Sequence, residues 1–262
     1  MTDRRKDGRI IALVNNKGGV AKTTSAVALA AGLADEGKRV LLVDLDAQGS
    51  ASLSLGLDRA QLVPGTAEVI LDGKPVRAAI RPTAVEGLDV LPGSMALVSA
   101  DLVLAEVQGR EAVLKAVLHP VRAEYDFIVL DCPPSLGLLV VNALVAADFF
   151  LVPLTPDYLA LEGLVNLLAA VDRIRAGIGH VGELLGVLLT MVDHRLNVSG
   201  EIGTMIRRHY GRAVFKVEVP VNVRLKEAPS FGKTIFDYDA GATGAAAYRE
   251  LVKEVLHRVG RS

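Results

Sequence analysis

The 262-residue sequence has one cysteine, no tryptophan and few aromatic residues, 4% in all. A lone thiol, Cys132, excludes a disulfide framework within the chain and suits a reducing compartment. Net charge is nearly absent at -1, so no whole-molecule field draws the chain to a polyanion. The run that comes closest to a membrane span, SLGLLVVNALVAADFFLVPL over 135–154, is interrupted by Asn142 and Asp148 and closed by Pro153. It reads instead as a buried helix, a turn at Asp148 and a buried strand. The N-terminal MTDRRKDGR lacks the apolar core of a signal peptide. The five histidines show no metal-ligand spacing.

What is present is a globular composition, 51% hydrophobic and 23% charged. Short β-branched runs alternate with longer helical patterns: IIALV (10–14), RVLLVDLD (39–46), LDVLP (88–92), FIVLD (127–131), FFLVP (149–153) and LLGVLLT (184–190). Nearly continuous apolar strands indicate a parallel sheet covered on both faces. Between them lie Ala/Leu-rich helices such as TTSAVALAAGLADEG (23–37), closed by Gly37. This rhythm predicts an α/β, doubly wound, mostly parallel sheet with helices on both faces. No repeat or low-complexity linker divides it, so one domain over 1–262 is expected, with residues 1–9 as a short polar tail. Near the C-terminus, Tyr248, Leu251, Val252, Val255, Leu256 and Val259 form one stripe, expected to pack on the sheet. The stripe lacks the Trp or Phe of an interfacial lipid anchor.

Charge is unevenly spread. From Arg195 to Lys233 there are eight Lys/Arg against three Glu, a candidate polyanion surface on a near-neutral protein. Solvated helix faces would give the same pattern.

The stretch VNNKGGVAKTT (14–24) follows the first strand and opens the first helix. Strand, Gly-containing loop, Lys-Thr-Thr and helix is the order that wraps an anion, with backbone N–H groups and the helix N-terminus aimed at phosphate. Lys22 would reach the β- and γ-phosphates, the Thr23 hydroxyl would ligand Mg²⁺, and Thr24 would donate near the α-phosphate. The ordinary G-x-x-x-x-G-K-[ST] form is broken, because Asn16 and Ala21 stand where glycines are expected.

K-G-G-V-A-K-T-T resembles the deviant Walker A motif, K-G-G-x-G-K-T-[ST], of the ParA/MinD ATPase family, which has a P-loop NTPase-type fold. The resemblance implies that residues Lys17, Gly18, Gly19, Val20, Ala21, Lys22, Thr23 and Thr24 bind ATP. It further implies that Lys17 crosses a dimer interface to the partner's nucleotide. LLVDLDAQGSAS (41–52) resembles the family's switch I, implying that Asp46 activates water and Asp44 supports the Mg²⁺ shell. FIVLDCPPSLG (127–137) resembles Walker B and switch II, with Asp131 held to Mg²⁺ waters. LALEGL (159–164), TMVDHRLN (190–197) and VPVNVRLKEAPSFGKTI (219–235) are similar to the small Soj-like branch. There, arginines matching Arg195 and Arg224 contact DNA without sequence preference, and Pro220 to Asn222 lie by the adenine.

The resemblance implies an ATP-dependent homodimer that binds double-stranded DNA. Hydrolysis, slow and stimulated by a ParB-type centromere-binding partner, would release it in the cytoplasm on the nucleoid. About nine residues precede the first strand, too few for the helix-turn-helix domain of some plasmid relatives. A MinD-like membrane cycle is the alternative and would require the terminal helix to anchor in lipid. ParA-like positioning of another cargo uses the same ATPase. Iron–sulfur chemistry like that of the nitrogenase iron protein fails, since its cluster needs two cysteines per subunit. Three departures are marked: Ala47 and Ser50 replace the usual Pro and Asn, and Ala21 replaces a glycine. The last is expected to hold a backbone conformation costing an L-residue about 1 kcal/mol, shifting nucleotide affinity or turnover.

Overall fold

The computed structural model describes residues 7–260, so residues 1–6 of the polar tail lie outside the described residues. Eight strands form one sheet: β1 (Arg9–Leu13), β2 (Val40–Asp44), β3 (Arg81–Pro82), β4 (Leu88–Leu91), β5 (Phe127–Asp131), β6 (Phe149–Leu154), β7 (Glu183–Val192) and β8 (Val214–Pro220). Their order is β3-β4-β2-β5-β1-β6-β7-β8, parallel except where β3 meets β4. Successive residues of β1 point to opposite faces: Ile10 and Ala12 enter one hydrophobic cluster, Ile11 and Leu13 the other. Both clusters are closed by helices, which is why the central strands carry apolar residues at every position rather than every second one.

The long apolar stretch resolves as expected into a helix, Leu138–Ala146, and then β6. Asp148 between them does more than turn the chain. Its carboxylate accepts from the Ile10 backbone N–H at 2.8 Å and from the Arg122 guanidinium at 2.8 Å. One acid therefore fixes the starts of two neighbouring central strands. No helix among the described residues is long and apolar enough to cross a membrane.

Two strands were not read from the sequence. β3 is only two residues long. β8 (VFKVEVP) buries Val214, Phe215 and Val219 but leaves Lys216 exposed and Glu218 half-exposed, and it forms the far edge of the sheet. An edge strand needs a weaker apolar run than a central one, so its signal was absorbed into the basic C-terminal third.

The terminal helix, Thr243–Val259, buries Tyr248, Leu251, Val252, Val255 and Val259, with Leu256 packed partly against the same cluster. The predicted stripe is thus spent on the core rather than presented to lipid. It packs beside the helix Lys22–Asp35, where the Tyr248 hydroxyl and Ser25 Oγ lie 2.9 Å apart in a buried hydrogen bond. Tyr248→Phe leaves Ser25 without that partner and is expected to cost about 1–2 kcal/mol. Thermal melting should then fall by a few degrees; an unchanged melting temperature would contradict the link.

Candidate functional site

The chain winds to one side of β1 through β2–β5, then crosses to the other side through β6–β8. In such sheets ligands sit beyond the strand C-termini at this change of direction. The loop 14–21 leaves β1 there and is tied down on one side. Val14 N–H donates to the Leu151 carbonyl at 3.0 Å, and Asn15 Nδ2 donates to the Pro153 carbonyl at 2.7 Å. Asn15 Oδ1 accepts from Lys17 N–H at 3.0 Å. From β7, the Thr190 hydroxyl donates to the Val20 carbonyl at 3.0 Å. The outer side of the loop is open: a Cβ built on Gly18 or Gly19 would meet no atom within 4 Å. A bare backbone facing open space at a helix N-terminus can receive an oxyanion.

Gly19 has φ 74° and Ala21 has φ 58°, ψ 33°. Ala21 is therefore in the left-handed region, as expected from its standing where a glycine belongs. The helix Lys22–Asp35 starts from this residue without a side-chain cap, so its first N–H groups lack one local acceptor.

Lys22 is buried, with Nζ 3.5 Å from the Lys17 carbonyl. Burial lowers its pKa, opposed by the charges of Asp131, Cys132 and Asp46. Asp44 and Asp131 are paired directly across β2 and β5, and both are fully buried. Their surroundings differ. Asp44 Oδ1 accepts from Asp46 N–H at 3.1 Å, and Oδ2 accepts from Ser52 N–H and Oγ at 3.0 and 2.8 Å. Neither oxygen of Asp131 has a hydrogen-bond partner among the described residues. Burial pushes Asp131 well above the usual carboxylate range and Asp44 adds to the shift, while nearby Thr23 and Lys22 act against it. Burial also raises Asp44, to about 6, against the hydrogen bonds it accepts.

Asp46 is half-buried and accepts from Gln48 N–H at 2.9 Å. Asp44 is engaged through both oxygens, whereas Asp46 accepts one bond from within its own loop. Among the described residues no three or more His, Cys, Asp or Glu side chains converge as a metal cage. A hydroxyl and an orphaned buried carboxylate beside a phosphate loop nevertheless suit Mg²⁺, which keeps waters and shares its shell with phosphates. Thr23 and Asp131 fit that ion.

The remaining expected residues lie around this centre. Lys17 folds back into an ion pair with Asp157 of its own chain, a partner that sequence reasoning missed. Thr24 is half-buried on the first helix turn and lines a narrow crevice with Thr234 and Lys233. Pro220 ends β8, and Val221 N–H donates to the Val192 carbonyl at 3.1 Å, so this segment stands at the same C-terminal end of the strands as the loop. Asn222 caps the helix Val223–Glu227 through Leu225 N–H and donates to Thr243 Oγ1 at 2.8 Å. Arg195 is exposed and paired with Asp193, while Arg224 is paired with Glu227 and Asp239. Exposed pairs of this kind contribute little to stability and exchange readily for another anion.

With this geometry in place, the chain can be compared with known proteins. It is 43% identical over 251 residues to the chromosome partitioning protein ParA of Myxococcus xanthus, covering 96% of this chain and 89% of that one. It is 45% identical over 251 residues to the chromosome-partitioning ATPase Soj of Thermus thermophilus, covering 96% of each. The chain belongs to the ParA/Soj family. Residues 8–180 also match the AAA domain family. Among solved structures, one described as cobyrinic acid a,c-diamide synthase from Mycobacterium smegmatis, with a bound ATP analog and magnesium, superposes with a TM-score of 0.83. It is 34% identical and covers 97% of this chain and 96% of that one. The eight-stranded sheet is accordingly the P-loop NTPase-type fold anticipated from the loop.

Two outcomes follow from the loop and the buried acids. Ala21→Gly removes the left-handed strain and is expected to raise stability by up to about 1 kcal/mol in chemical denaturation; a loss of stability would contradict it. Asp131→Asn removes a buried ionisable carboxyl and should stabilise the ligand-free protein at alkaline pH by roughly 1–3 kcal/mol. Because the folded Asp44 and Asp131 carboxyls hold protons more tightly than the unfolded ones, stability of the parent falls as pH rises above the ordinary carboxylate range, through about 6 for Asp44. The gain from Asp131→Asn should therefore shrink as pH falls toward the ordinary carboxylate range, and a gain independent of pH would contradict the assignment.

Proposed function

We propose that this chain is a ParA-type ATPase of chromosome or plasmid segregation, acting as one deviant Walker A unit. The observation that carries the reading is the open phosphate loop, with Lys22 close to an unpartnered buried Asp131, in a chain 43–45% identical to partitioning proteins. Backbone N–H groups of Gly18, Gly19, Val20 and Ala21 hold the phosphates, and Lys22 and Thr24 add side-chain donors. Thr23 and Asp131 hold Mg²⁺, which would draw charge from the β- and γ-phosphates. Asp44 supports that shell at one remove, by fixing Ser52 and the backbone of Asp46. Asp46 orients and deprotonates the attacking water. Pro220 and Asn222 border the adenine.

Lys17 leaves Asp157 and reaches the nucleotide of a second copy, so that the dimer forms only around ATP. Charge neutralisation between two nucleotides favours this arrangement, because preorganised cations act most strongly where water is excluded. Arg195 and Arg224 contact DNA phosphates, which carry no sequence information and give non-specific binding. Turnover is slow until a ParB-type protein stimulates it, and hydrolysis releases the DNA. In the cell this places the protein in the cytoplasm, on the nucleoid.

The test is binding to random-sequence duplex DNA with ATP, with ADP and without nucleotide, across a salt series. The reading predicts binding that needs ATP and weakens steeply with salt. Arg195→Ala and Arg224→Ala should each weaken it by about threefold to tenfold and lower the salt slope by about 1, with basal hydrolysis intact. Binding indifferent to nucleotide would contradict the cycle.

A further inference from the structure

The segment between β4 and the helix Val113–Arg122 has two apolar stripes where a surface element needs one. Leu97, Ala100 and Leu104, at i, i+3 and i+7, are buried in the core. Met95, Val98 and Leu102 repeat the same spacing on the outside and are 59%, 67% and 77% exposed, with Val103 and Val107 also exposed. A second stripe of this kind contributes nothing to the fold, and contiguous exposed apolar surface marks an interaction site.

The same segment is fastened to both carboxylate-bearing strand ends. At its start, Gly93 N–H donates to Ser52 Oγ at 3.2 Å, the hydroxyl that also holds Asp44. Gly93 packs so closely that a Cβ there would fall 2.6 Å from the Asp46 carbonyl and 2.8 Å from Asp44 Oδ1. Next to it, Gln48 Nε2 lies 3.9 Å from Met95 Sδ. Farther on, Asp101 Oδ1 accepts from Leu139 N–H at 3.1 Å, and Gly137 abuts the same carboxylate. The residues after Asp131 are thus held from the reverse side of the stripe. Anything pressing on Met95, Val98 and Leu102 bears on 44–52 and 131–139 together.

Charge selects the occupant. Between β4 and Val113 the chain has three acids, Asp101, Glu106 and Glu111, against one basic residue, Arg110. An anionic lipid surface or DNA would be repelled, whereas a segment mixing apolar and basic side chains would be complementary. We propose that the stripe Met95–Val98–Leu102, with Glu106 beside it, is the docking surface for an apolar, basic segment of the protein that stimulates hydrolysis. This rests on the ParB-type partner reading. Docking would act on Asp46 through Gly93 and on the Asp131 side through Asp101, the two places where the reacting groups are held.

The test uses the full-length chain and a purified ParB-type protein, reading basal hydrolysis, ATP-dependent dimerisation and partner-stimulated hydrolysis. Leu102→Lys and Glu106→Lys alter exposed side chains outside the nucleotide site. Each should leave basal turnover and dimerisation unchanged and raise the partner concentration for half-stimulation by about tenfold or more. Leu102→Met should behave as the parent. Stimulation unchanged in both lysine variants would overturn the docking site while leaving the partner reading intact. Loss of dimerisation would overturn it in favour of a second copy covering the stripe. A parent chain that no ParB-type protein stimulates would overturn both the docking site and the partner reading.

Discussion

Two aspartates forced together out of water organise this molecule. The register of β2 and β5 sets Asp44 directly beside Asp131 at the ends of fully buried strands. Like charges in such a place raise one another's pKa and demand either protons or a cation. Among the described residues, hydrogen bonds go to Asp44 alone of the two, from Ser52 and the Asp46 backbone. Asp131 is left open toward Lys22 and Thr23. The unmet demand is what a phosphate-bound divalent ion could satisfy, and it distinguishes this site from a loop of merely suitable shape.

The loop contributes its own strain to the same end. Ala21 holds a left-handed conformation that its side chain disfavours, directly before the helix that begins at Lys22. Backbone strain at a ligand loop persists when its surroundings over-determine it. Here the surroundings are the bonds from Val14, Asn15 and Thr190, which anchor the loop to β6 and β7. Arg195, Arg224 and Lys17 show the opposite logic. Each is exposed and paired with a nearby acid of its own chain, an arrangement easily exchanged for another anion.

Much of this was legible in the residues. Central strands need apolar side chains on both faces, so β1, β2, β5 and β6 announced themselves as unbroken runs, and the terminal helix as a 3.6-residue stripe. β8 did not, because an edge strand tolerates Lys216 and Glu218 and looks like ordinary polar chain. The phosphate loop and its misplaced alanine were visible as a pattern, including the backbone conformation Ala21 would need. The inequality of Asp44 and Asp131 was not, since it depends on Ser52 reaching back across a turn. The Lys17–Asp157 pair was equally hidden, joining residues 140 positions apart that only the β1–β6 neighbourhood brings together.

The most direct test of the account is the thermal stability of the ligand-free protein at pH 8, alone and with ATP, with and without Mg²⁺. If the buried Asp131 awaits a phosphate-bound cation, ATP with Mg²⁺ should raise the melting temperature well beyond ATP with a chelator, since binding only the folded state stabilises it. Equal melting temperatures in all conditions would contradict the claim that the site is built to hold that pair.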